Sequence, residues 1–142
     1  MEQNYSNHRR WIPMYHFVLS LALLATVIGS IVNLIKSFGT EGLYNASLIF
    51  VLSLSVLILS YFTREFALKA QDRAIRAEEK LRHYILTQKL PDPRLTTRQM
   101  VGLRFAPDDE FVELANKAAE ENLSGEDIKK AIKNWKEDTY RV

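Results

Sequence analysis

The sequence predicts an all-α membrane protein: a transmembrane hairpin whose second helix continues as a long cytosolic helix, followed by about three short cytosolic helices. Residues 14–35 and 46–62 are two apolar stretches without Asp, Glu, Lys or Arg. With their interfacial neighbours, both reach the length that crosses a bilayer. Residues 46–90 contain neither Gly nor Pro, so the second helix has no internal breaking residue.

Four parts follow from this pattern. They are an N-terminal arm at residues 1–13, the hairpin at 14–62 with an external loop at 36–45, a cytosolic continuation at 63–90 and a small helical region at 91–142. About 43 helical residues at about 1.5 Å each would make the second helix about 65 Å long, twice the hydrocarbon thickness. Half of this helix must therefore stand in water.

The distribution of Lys and Arg orients the hairpin. Arg9 and Arg10 precede the first span, six basic residues lie between residues 64 and 82, and the loop carries only Lys36. Because positive residues beside span ends stay on the cytosolic side, both termini are predicted to be cytosolic. The first apolar stretch is longer than a normal export-signal core and lacks a convincing cleavage site, which favours an uncleaved span.

The charge balance excludes some partners. Residues 63–104 hold ten basic and five acidic residues, whereas residues 105–142 hold six and ten. The basic segment is attracted to anionic headgroups of the lipid bilayer, and the acidic part is repelled by them. No concentrated basic face with interleaved aromatic residues is present, so nucleic-acid binding is not expected. The chain has no cysteine, which excludes disulfides and thiolate metal ligands.

A seam of mainly small residues runs along the long helix at alternating three- and four-residue spacing. Its members are Ala46, Ser53, Ser60, Ala67, Ala70, Ala74, Ala77, Leu81 and Tyr84. Small residues at such spacing let two helices approach closely. Two interpretations remain open: the seam packs inside one chain, against the first span and the C-terminal helices, or it pairs with a second copy in a parallel homodimer.

The last region is predicted to form short helices. Pro91 and Pro93 end the long helix, and capping residues place the next helix starts near residues 96–97, 107–108 and 124. On the last helix, an apolar stripe at i, i+3, i+4 and i+7 comprises Ile128, Ala131, Ile132 and Trp135. This stripe is either part of a small core or a docking surface for a helix of a protein partner.

Signals for chemistry are weak. The sequence has no phosphate loop, nucleophile elbow or paired metal-ligand helix, so no catalytic, cofactor-binding or metal-binding residue is predicted and an enzyme is not expected. The leading hypothesis is a non-enzymatic interaction or scaffold module. The alternative is a small transport or channel component that works only as an oligomer, motivated by His16, Asn33 and the serines of the second span.

Two segments carry a family resemblance. AQDRAIRAEEKLRHY at residues 70–84 and LRFAPDDEFVELANKAAEENLSGEDIKKAIKNWKEDTYRV at residues 103–142 resemble a family of small bacterial two-span membrane proteins classed as a domain of unknown function. The resemblance implies a location in the bacterial inner membrane. It implies no activity, ligand or catalytic residue.

Overall fold

The structure is a computed structural model that describes residues 3–138. Within those residues the chain forms helices and no strands, which confirms the predicted all-α class. The helices are α1 (Met14–Lys36), α2 (Leu43–Thr87), α3 (Thr97–Leu103), α4 (Asp108–Glu120) and α5 (Gly125–Ala131). The first turns of α1, Met14–Leu19, are π-helical, and Ser20–Lys36 is α-helical.

The chain divides into two compact units. The first, here called the helical domain, consists of Met1–Arg10 and Ala67–Val142; the second, the hairpin, is Trp11–Phe66. Helix α2 contributes to both.

Two polar contacts join the helices of the hairpin. The hydroxyl oxygens of Ser30 and Ser53 are 2.9 Å apart, and the Tyr15 hydroxyl donates to the backbone carbonyl of Ser60 at 2.9 Å. The turn between the helices includes Gly39 with a φ of 76°, a conformation that glycine adopts without strain. The two helices of the hairpin are therefore joined near its middle and again where Tyr15 meets Ser60.

Helix α2 extends over 45 residues without a break, as the absence of Gly and Pro predicts. It ends before the prolines, because Gln88 adopts a left-handed conformation with a φ of 56°. The His83 ring caps this end through a contact of 2.9 Å between Nδ1 and the Lys89 carbonyl. His83 is 5% exposed, so this cap is buried.

The core of the helical domain lies among α3, α4, α5 and their connections. Phe105, Phe111 and Leu103 are fully buried. The remaining buried members are Leu95, Met100, Ala106, Leu114, Ala115, Ala118, Ala119, Ile128 and Ile132. Helices α3 and α5 approach closely because Gly102 and Gly125 face one another; a Cβ on Gly102 would lie 3.0 Å from the Gly125 carbonyl oxygen.

Helix α3 starts at the predicted position. The Thr96 side chain accepts from the Gln99 backbone and the Gln99 side chain accepts from the Thr96 backbone, a capping box. The Gln99 amide also donates to the carbonyls of Ala118 and Leu123 at 3.2 and 2.9 Å. One buried side chain thus caps α3 and fixes the end of α4.

Candidate interaction surfaces

The predicted C-terminal stripe is mainly part of the core. Ile128 and Ile132 are 0% and 6% exposed, Trp135 is half-buried and Ala131 is exposed. The stripe does not lie on one helix, because α5 ends at Ala131. The backbone N–H groups of Lys133 and Asn134 donate instead to the Glu110 carboxylate at 2.9 and 3.0 Å.

The N-terminal arm covers the exposed side of this core. The His8 ring is 6% exposed and packs against Phe105 and Trp135 with ring centroids 5.8 and 5.7 Å apart. The Tyr5 hydroxyl donates to Glu126 at 3.0 Å. The arm therefore covers Trp135, a residue of the stripe that the sequence analysis considered as a docking surface for a protein partner.

One face of α2 packs on the helical domain. Its buried members are Ile75, Glu79 and His83. On the same face the Arg82 guanidinium lies 4.4 Å from the Phe111 ring and donates to the Ala106 carbonyl at 2.8 Å. This face packs residues 75–83 of α2 against α4 and the connection between α3 and α4.

Arg82 forms its ion pairs with residues other than Glu78, its i−4 neighbour on the helix. It pairs with Glu79 at 3.1 Å and with Asp108 at 2.6 Å. The helix-surface spacing favours Glu78 as its i−4 partner. The tertiary contact with α4 decides the rotamer, and Glu78 is exposed.

The seam faces away from the helical domain. At 100° per residue its centre lies about 160° around α2 from the Ile75–Glu79 face. Leu81 and Tyr84 are 60% and 46% exposed. Ala70, Ala74 and Ala77 are also exposed, and Ala67 is half-buried.

In the hairpin the seam has different surroundings. Ala46 and Ser53 are 1% and 5% exposed, Ser60 is half-buried, and the Ser53 hydroxyl contacts Ser30 of α1. The structure therefore divides the seam into an intramolecular part in the hairpin and an exposed part in the helical domain. It does not bring all nine residues into one contact.

The structure places the two residues of the first span that motivated a transport role at different kinds of position. The His16 Nδ1 lies 3.1 Å from the Ile12 backbone nitrogen and 3.0 Å from the Ile12 carbonyl oxygen, at the start of α1. Asn33 is exposed on the hairpin. Across residues 3–138 no group of three or more His, Cys, Asp or Glu side chains could hold a metal ion.

A groove borders one edge of the exposed seam. Its volume is about 590 Å³. It is lined by Ala74, Glu78, Arg104 and Lys136, among others. Arg104 Nε lies 3.0 Å from the Asp138 carboxylate, so charges of both signs line the groove and it has no single electrostatic preference.

Hydrogen bonding lowers the pKa of three carboxyl groups in the helical domain. The backbone N–H of Lys133 is the main cause of a lowered pKa at Glu110. The Lys129 ammonium, followed by the Tyr5 hydroxyl, lowers the pKa of Glu126. The hydrogen bond from Arg94 lowers the pKa of Asp92 to about 2. All three groups hold loops or the arm in place.

The sequence did not indicate His8, Arg82 or Glu110 as important residues. Their contacts join segments far apart in the chain, and no local spacing predicts such contacts. Tyr5 and His8, two aromatic residues among the polar residues 2–10, were the available signal for a docked N-terminal arm.

Comparison with known proteins gives one result. No curated protein and no solved structure matches the chain. A family model described as a family of unknown function (DUF6526) matches residues 1–142. Since the match covers the whole chain, the protein belongs to this family of unknown function.

Proposed function

We propose that the protein is a two-pass bacterial inner-membrane protein with both termini in the cytosol, and that it serves as a non-enzymatic interaction module. The observation that carries the proposal is that two segments from opposite ends of the chain form the helical domain together. Residues before the first apolar helix and residues after the second pack into one unit, through His8 on Phe105 and Tyr5 on Glu126.

A shared unit requires both ends of the hairpin to lie on the same side of a membrane. Two crossings satisfy this requirement and one crossing does not. The Lys and Arg asymmetry identifies that side as the cytosol. The family resemblance supports a bacterial inner membrane.

The exposed surface of the hairpin supports insertion. In the most apolar 18-residue segments of α1 and α2, only 6% and 11% of the residues are buried. The core helix of a soluble protein is mostly buried. Leu21 and Leu52 are 69% and 64% exposed. Lipid is the solvent that such a surface needs.

The contacts between the two helices favour a retained first span over a cleaved signal. Removing α1 would expose Ser53 and leave the Ser60 carbonyl without the Tyr15 hydroxyl. Inside a bilayer, lost polar contacts of this kind are not replaced by water.

Single cysteines test the topology, because the chain has none of its own. Ser6, Thr40 and Glu113 are exposed positions in the arm, the loop and α4. An impermeant maleimide should label a cysteine at Thr40 in intact spheroplasts, and one at Ser6 or Glu113 only after permeabilisation. Labelling of Thr40 and Glu113 from the same side, or extraction of the protein by alkaline carbonate, would contradict the proposal.

A further inference from the structure

The exposed half of the seam is an apolar face without a partner in the part of the helical domain that the structure describes. It begins with alanines and widens toward its end, where Leu81, Tyr84 and Ile85 are 60%, 46% and 63% exposed. In heptad terms Ala67, Ala74 and Leu81 occupy a positions, with Ala70, Ala77 and Tyr84 at d positions. The opposite face of α2 already packs against α4 and the connection between α3 and α4.

We propose that this face binds the same face of a second copy of the chain, so that the two α2 helices form a short parallel coiled coil beside the membrane. The proposal rests on the proposed membrane function, since two copies with the same topology in one membrane present their α2 helices in the same direction. Small side chains at the contact allow the close backbone approach, and the larger residues at the far end supply apolar area.

The charges beside the seam are complementary in this arrangement. Arg73 lies at a g position and Glu78 at the following e position, which is the spacing that meets across a parallel pair. Two-fold symmetry forms the Arg73–Glu78 contact twice. An antiparallel pair would instead bring g positions together and place Arg73 near Lys80 of the second copy, with repulsion between like charges.

These two side chains are available for such contacts. Within residues 3–138 neither Arg73 nor Glu78 forms an ion pair. Arg82, the i+4 neighbour of Glu78, is occupied by Glu79 and Asp108. The contact between Arg73 and Glu78 of two copies therefore requires no existing ion pair to be broken.

Cysteine crosslinking of the full chain in native membranes tests the contact. Ala74→Cys and Ala77→Cys lie on the seam, and Arg76→Cys is the matched control, since Arg76 is also solvent-exposed on the same helical turn but off the seam. Mild oxidation should yield disulfide-linked dimers several-fold faster at the two seam positions. Equal rates at all three positions would overturn the proposal.

A cysteine at the end of the seam tests the direction. Parallel copies place two Ala67→Cys residues side by side, whereas antiparallel copies centred on residues 74–77 separate them by more than about 20 Å. Efficient crosslinking at Ala67 is expected. Crosslinking at Ala74 and Ala77 without any at Ala67 would overturn the parallel arrangement.

A charge exchange tests the role of the flanking pair. In an Ala77→Cys background, Arg73→Glu should slow crosslinking, because the new carboxylate then faces the Glu78 carboxylate of the other copy. Adding Glu78→Arg should restore the rate, and an exchange that fails to restore it would contradict the Arg73–Glu78 contact. The result is separable from topology: a carbonate-resistant chain with the expected maleimide pattern that does not crosslink refutes the dimer alone.

Discussion

Arg82 is the residue that joins the long helix to the rest of the helical domain. Its guanidinium contacts Glu79, Asp108 and the Ala106 carbonyl at 3.1, 2.6 and 2.8 Å and covers the Phe111 ring. The side chain is 13% exposed. Since lysine cannot form these contacts at the same time, only arginine fits this position well.

Replacing Arg82 with alanine should destabilise the helical domain by about 2–3 kcal/mol, because charge-assisted hydrogen bonds are lost and Glu79 stays largely buried without its cation. Urea unfolding monitored by Trp135 fluorescence, in a Trp11→Phe background that removes the other tryptophan, measures the change. Arg82→Lys should give a smaller loss. The exposed Arg76→Ala is the control, with an expected change below about 0.5 kcal/mol; an equal effect of both alanine variants would contradict the role of Arg82.

Glu110 makes the stability of the domain depend on pH. Its carboxylate accepts from the backbone of Lys133 and Asn134, which lowers its pKa from the ordinary value of 4.5. A depressed folded-state pKa gives stability that is present above about pH 4.5 and is lost as the pH falls through the folded-state pKa. Protonation of Glu110 thus weakens the hydrogen bonds that join α4 to Lys133 and Asn134.

Glu110→Gln should be less stable than the native chain by about 1 kcal/mol at pH 7, and the difference should shrink as the pH falls below about 4.5. Urea unfolding curves between pH 3 and pH 7 measure it. The exposed Glu113→Gln serves as the control and should be near neutral throughout. A difference between native and Glu110→Gln that stays constant down to pH 3 would argue against this assignment.

At the scale of elements, the N-terminal arm acts as an additional packing segment of the helical domain. The Gln3 side chain and the Asp138 backbone exchange hydrogen bonds, with Asp138 N–H donating at 2.8 Å. His8 is buried against two aromatic rings, and its Nδ1 is 2.6 Å from the Tyr5 carbonyl. The arm is thus held at Gln3 and at His8.

Removing the His8 ring should release the arm. His8→Ala should cost about 1–3 kcal/mol of docking free energy, since a buried aromatic side chain is lost. Trypsin cleavage after Arg9 or Arg10 should then accelerate in solubilised protein. Ser6→Ala, an exposed change in the same arm, should leave the cleavage rate unchanged, and a similar rate in both variants would count against a docked arm.

The sequence predicts helix identity better than helix surroundings. Apolar runs, the missing Gly and Pro, and the cap at Thr96 are local signals, and the helices form where these signals occur. Spacing alone does not reveal which neighbour covers which face. Ile75 is buried although the seam passes beside it, and α5 ends early because Glu110, a distant residue, takes the N–H groups that would extend it.

The first span also shows that residue spacing does not reveal which helix face is buried. Its small residues Ala22, Ala25 and Gly29 have the three- and four-residue spacing of a close helix contact, yet Ala22 and Ala25 are exposed and a Cβ on Gly29 would have no neighbour within 4 Å. Only Ser30 of that face is buried, where it meets Ser53. Small residues permit a contact, but the larger neighbours on both helices decide which face is used.

At the scale of the whole molecule, two units with separate interiors should unfold separately. The hairpin keeps its backbone hydrogen bonds within its helices, and in a micelle urea offers them no better partner. The helical domain depends on a core in water and on side-chain contacts, which urea weakens. The domain should therefore lose its structure at lower urea than the hairpin.

Each unit carries one tryptophan, Trp11 in the hairpin and Trp135 in the helical domain. Trp11→Phe leaves Trp135 as the only reporter, and Trp135→Phe leaves Trp11. In detergent, Trp135 fluorescence should show a cooperative urea transition while Trp11 changes little, and far-UV circular dichroism should keep the helix signal of the hairpin. Adding Arg82→Ala should lower only the Trp135 midpoint, since the contacts of Arg82 lie within the helical domain. Coincident transitions of both tryptophans would mean that the continuous helix α2 unites the two units into one cooperative structure.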